Sequence, residues 1–181
     1  MKKQFILSMV AIMSAAGIGA AHAVDGTINF TGEVTADTCT IDIDDQTNPT
    51  LSLGSVNTTA LAKTGDTGPA TNFMLNLTSC PTTVTAVNVT FSGNKDSAMA
   101  SAFKNEAIEN AASNVGVQIY DVSKASVSPA QIIDITDYLT SDESSSIKEA
   151  HIPFTARMIA VSDSATAGAL ISHADYTISY Q

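Results

Sequence analysis

The chain has 181 residues, 44% hydrophobic and 14% charged, with 18 acids against eight bases and a formal net charge of −10. So acidic a balance argues against nucleic acid and anionic lipid as partners, because both demand a basic face. The length suits one domain with its own core.

Residues 1–23 read as a secretory signal peptide. Lys2 and Lys3 form the charged start, Phe5 to Ala16 the apolar stretch, and Ala21-His22-Ala23 the small-x-small cleavage pattern. The apolar run falls short of the ~20 residues of a spanning helix, which disfavours a membrane anchor, and no later run is apolar enough to span. Cleavage after Ala23 leaves 158 residues with 18 acids against six bases, a net charge near −12. A surface that acidic keeps an exported protein soluble.

Beyond the leader, Ile28-Asn29-Phe30-Thr31-Gly32-Glu33-Val34 alternates apolar and polar positions, and a strand is predicted over 28–35. Further strands are predicted over 38–44, 50–56, 71–79, 84–92, 115–121, 131–136, 147–161 and 170–180. The strictest alternation lies in Phe73-Met74-Leu75-Asn76-Leu77 and Val87-Asn88-Val89-Thr90-Phe91. Turn chemistry separates the runs: Asn48-Pro49, Thr64-Gly65-Asp66-Thr67-Gly68-Pro69 and Ser92-Gly93-Asn94 read as loops, and Cys80-Pro81 ends a strand. One segment differs: Ser97 to Ala112 is rich in alanine and predicts a short helix. The last seven residues, Asp175 to Gln181, alternate again, with Tyr176, Ile178 and Tyr180 on one face. Short strands between turn clusters point to an all-β sandwich or barrel. A patterned strand near each end predicts a protein that joins others through its termini.

Cys39 and Cys80 both lie in the exported part, where an even count favours one disulfide. The alternatives, a reduced pair or a metal site, find neither a CxxC spacing nor a histidine near either cysteine. The acidic run Asp42-Ile43-Asp44-Asp45 is no calcium loop, since its sixth position would be Thr47 rather than Gly and its twelfth Leu53 rather than Glu. His151 and His173 sit in no nucleophile motif, and neither a Gly-x-Ser-x-Gly elbow nor a Gly-rich phosphate loop is present. Arg157, the one arginine, reads as a strand residue rather than a ligand. No enzyme chemistry, metal or cofactor is expected.

Taken in order, these pieces resemble the bacterial fimbrial subunits of the chaperone–usher type, similar to type 1 and P-pilus major pilins. Gly26 to Val34 resembles the family's N-terminal donor strand, and Cys39 and Cys80 stand at the spacing of the pilin disulfide. Ile152-Pro153-Phe154-Thr155-Ala156-Arg157 resembles the strand before the last. Gly168, fourteenth from the end, and the penultimate Tyr180 match the C-terminal signature. The motifs span the whole chain behind its signal peptide.

The resemblance implies an incomplete immunoglobulin-like sandwich over 37–181 that lacks its last strand, preceded by a donor extension over 24–36. A periplasmic chaperone then fills the groove, and the extension of the next identical subunit displaces it at an outer-membrane usher. The result is a head-to-tail pilus on the cell surface that supports adhesion. Ile28, Phe30, Gly32 and Val34 share the donor face, with Gly32 a gap where the groove floor comes close. Burying the three large side chains is worth about 5–9 kcal/mol before ordering costs. Tyr176, Ile178 and Tyr180 are expected to wall the groove, and the Gln181 carboxylate to stand free for basic chaperone residues. A minor adaptor or terminator subunit would share every motif. A secreted sugar-binding sandwich would instead be self-contained and monomeric.

Overall fold

The computed structural model describes residues 30–31, 38–141 and 147–181. The chain divides into two compact units, 1–35 and 36–181. In the first, Phe30 is 89% exposed; the predicted leader and the rest of the predicted 28–35 strand, with the donor residues Ile28, Gly32 and Val34, lie outside the described residues.

The second unit is built from β1 (Thr40–Ile43), β2 (Thr71–Pro81), β3 (Val87–Ser92), β4 (Phe103–Lys104), β5 (Val115–Tyr120), β6 (Ser126–Val127), β7 (Ile132–Asp134), β8 (Thr140–Ser141), β9 (Ile147–Ala160) and β10 (Asp175–Tyr180). One sheet runs β1-β2-β9-β5-β4, with β6 on β5 and β8 on β9; the other runs β10-β3-β7. All pairings between these strands are antiparallel.

Alternation explains the layering. Phe73, Leu75 and Leu77 of β2, Ile152 and Phe154 of β9, and Val87, Val89 and Phe91 of β3 are all buried in one cluster. Both sheets thus turn an apolar face to a shared interior. At its centre Phe91 meets Phe154 edge-on at 5.0 Å between ring centroids, while Phe73 stacks on Phe154 at 5.7 Å. Cys39 and Cys80 form a disulfide that ties the start of β1 to the end of β2. The acidic run serves a turn: Asp42 Oδ1 accepts from the Asp45 amide and the Asn76 side chain, and Asp44 Oδ1 accepts from the Met74 amide.

Two predicted elements differ from what forms. Residues 97–112 hold no helix. Phe103, buried in the core, is drawn into a pair with Val117, and Asp96 N–H bonds the Ala102 carbonyl. Burial of one aromatic outweighs the alanines' helix propensity, which is a weak preference. Residues 50–56 form no strand, although Leu51, Leu53 and Val56 are half-buried and the residues between them exposed. The alternation there comes from a half-buried extended segment with no ladder partner among the described residues. The final predicted strand is also divided: 175–180 pairs with β3, whereas 170–174 is not in a ladder.

Candidate functional site

β10 bonds β3 along one edge, and among the described residues no strand occupies its other edge. Beside it lies a groove of about 880 Å³. One wall is the unladdered segment 47–54 and the other is 170–176. The floor is the sandwich interior itself: Phe73, Phe91, Phe103, Ile119, Ala156 and Met158 reach it from both sheets. A second hollow of about 330 Å³ shares Gly54, Met158 and Leu170 with the first and continues to Leu61, Ala112, Val115 and Gly168. An apolar trough of this length open to water is a liability unless something covers it.

The groove's walls offer backbone as well as side chains. Ala169 N–H donates to the Asn110 carbonyl, the Ala169 carbonyl accepts from Ala112 N–H, and the Ile171 carbonyl accepts from Glu106 N–H. Farther along, Gln181 exchanges bonds with Ala86, on the β3 side. In extended chain the polar groups of successive residues point to opposite edges. The odd-numbered positions therefore look away from the groove, and Leu170, Ser172 and Ala174 turn their N–H and C=O groups toward it. Side chains alternate with the same period, so the half-buried Tyr176, Ile178 and Tyr180 share the inner face.

The predicted site residues fall in distinct places. Tyr176 lines the groove, and its hydroxyl donates to the Thr47 carbonyl at 2.8 Å, joining the two walls at one end. Ile178 and Tyr180 lie beyond that bond, packed against the main core. Burial raises the Tyr180 phenol above its usual pKa, with the Cys39 backbone acting the other way. Gly168 lines the second hollow, where a Cβ would come within 2.4 Å of the Ala112 nitrogen and the Asn110 carbonyl oxygen; only glycine lets the two segments meet. Gln181 follows the end of β10, and one oxygen of its terminal carboxylate accepts from the Thr85 and Ala86 amides and the Thr85 hydroxyl.

The 170–176 wall is also braced from outside. His173 Nδ1 pairs with the Glu106 carboxylate, which accepts a further bond from the Asn94 side chain. The Asn94 bond above all, helped by His173, holds the Glu106 carboxyl below its ordinary pKa. A lowered carboxylate pKa means the contribution is present above the ordinary value and is lost as the pH falls through the lowered one. No sequence signal marked the bracing role of Asn94 and Glu106 or the floor positions of Phe103 and Met158.

The fimbrial protein family profile matches residues 28–181. The chain belongs to the fimbrial protein family. Long polar fimbria protein A of Salmonella typhimurium is 31% identical, with 99% of this chain and 97% of that protein covered. The type-1 fimbrial protein A chain of Escherichia coli K12 is 33% identical over 97% and 95%. Among solved structures, a type I fimbria protein and antigen of Burkholderia pseudomallei is 27% identical, with a TM-score of 0.56 over 86% of this chain and 97% of that one. The P pilus rod subunit shares the fold at 15% identity and a TM-score of 0.59, covering 79% and 99%. This fimbrial protein is thus an all-β pilin and a structural subunit of a surface pilus.

Proposed function

We propose that this subunit polymerises by donor-strand exchange, with the groove beside β10 accepting residues 24–36 of the next identical subunit. The single observation that supports this most is the pairing of an open apolar floor with a wall where Leu170, Ser172 and Ala174 have no backbone partner among the described residues. A strand added there gains ladder bonds along its backbone and buries alternate side chains below. Ile28, Phe30 and Val34 supply those side chains, and Gly32 passes where the floor is high.

Before assembly the open groove would aggregate, so a periplasmic chaperone lends it a strand and an outer-membrane usher exchanges that strand for the donor. Residues 1–23 direct export and are cleaved off after Ala23. The subunit does no catalysis and carries no cofactor; its work is mechanical, and through the fibre it supports adhesion. Addition of one subunit's tail to another's groove is a head-to-tail contact that grows without limit.

The test uses the exported chain held by its chaperone, offered a fluorescent peptide of residues 24–36. Incorporation of the peptide into the chain, with release of the chaperone, is the expected result. A scrambled peptide taken up equally well would overturn the reading.

A further inference from the structure

One side chain makes four hydrogen bonds where the groove wall meets the loop after β4. Asn105 follows β4, and its Nδ2 donates to the carbonyls of Ala112 and Ala169, each at 2.9 Å. Its Oδ1 accepts from the amides of Ala107 at 3.1 Å and Ile171 at 3.0 Å. A side-chain amide has two donor hydrogens and one oxygen with two lone pairs. All four are used, and only one orientation of the amide satisfies them, since two partners are carbonyls and two are N–H groups.

Two of these bonds close the 105–112 loop, and the other two reach the wall at Ala169 and Ile171. Backbone partners cover Ala169 N–H, its carbonyl and the Ile171 carbonyl. The Ile171 amide has Asn105 as its partner. That amide lies between Leu170 and Ser172, whose polar groups face the groove. Fixing residues 169 and 171 outward fixes 170 and 172 inward, because the alternation belongs to the extended chain.

We infer that Asn105 is a positioning residue for strand acceptance: it presents the wall's inner edge in register for an incoming strand. The inference rests on the donor-strand reading above. Aspartate at 105 would set an oxygen against two carbonyls, and alanine would release all four groups.

Uptake of the fluorescent 24–36 peptide by the chaperone-held exported chain separates the possibilities. Asn105→Ala and the near-isosteric Asn105→Asp should each slow uptake about 25-fold, the equivalent of two ladder bonds at about fivefold each. Hydrogen exchange at Ile171 should accelerate in both variants while exchange at Val89 does not. The control is Thr136→Val, which removes the hydroxyl that accepts from the Val87 amide, away from the groove; its uptake should stay within about threefold of the parent's. If the Asn105 variants match the parent or the control, Asn105 is not a positioning residue and the donor-strand reading stands. If the parent itself takes up no peptide, that reading fails and the inference with it.

Discussion

Deleting residues 24–35 is expected to abolish fibres while leaving a subunit that still binds its chaperone. The deletion removes Ile28, Phe30 and Val34, whose burial in a donor-strand joint would supply about 5–9 kcal/mol, together with the ladder bonds of about seven residues at a net ~1 kcal/mol each. The groove is untouched, so the deleted subunit accepts a donor but offers none. The reciprocal variant is Ala156→Phe. Ala156 is 4% exposed and forms part of the floor together with Phe73 and Met158. A ring there fills the space a donor side chain needs, and crowding of the core costs a further 1–3 kcal/mol. That subunit offers a donor but cannot accept one. Co-expressed with the parent chain, each variant stops growth, at opposite ends, and mean fibre length falls as its share rises. Electron microscopy of sheared fibres reads both effects. Fibres of ordinary length from the deletion alone would end the donor-strand account.

The second large effect is expected from Cys39→Ser with Cys80→Ser. The bridge spans 41 residues of sequence, which in the chain-entropy model is worth about 4 kcal/mol, a large fraction of a domain's whole stability. Cys80 is fully buried, so a serine hydroxyl there adds a desolvation cost. The structural consequence reaches the groove. β1 is a four-residue strand whose one ladder among the described residues is with β2, and its Ile43 lines the groove. Without the bridge β1 frays, and that end of the acceptor site loosens. Denaturant unfolding of the peptide-complemented chain should show a loss of about 4 kcal/mol, with periplasmic yield falling in parallel. An unfolding free energy within about 0.5 kcal/mol of the parent's, the range typical of inert surface changes, would show that the bridge does not hold β1.

The parts of the fold legible in the sequence are those where one face is buried and the other is not. Phe73 to Leu77, Val87 to Phe91 and Ile152 to Phe154 alternate because each lies on an inner face of the sandwich. The same logic misled at 50–56. Alternation reports which side faces the interior, not whether a neighbour is bonded, so an extended wall and a paired strand read alike. At 97–112 the local composition favoured a helix, and the decision lay with Phe103, whose partner Val117 is 14 residues away in sequence. The two-residue strands β4, β6 and β8 are too short for any period to register.

The site was legible to a similar degree. Tyr176 was visible through the alternation of the last strand and Gly168 through a resemblance, and both border the hollows. Asn105 was invisible because its four partners come from its own loop and from the 169–171 wall, more than 60 residues away in sequence. An asparagine in a loop has the same local signature whether it holds a wall or faces water.

High-resolution imaging of the intact fibre puts the central claim to the most direct test. The account predicts an extended segment, residues 28–34 of one subunit, lying along 170–176 of its neighbour, with backbone bonds to Leu170, Ser172 and Ala174 and with Phe30 directed into the floor. An empty trough, or one filled by the same subunit's own leading residues, would contradict it.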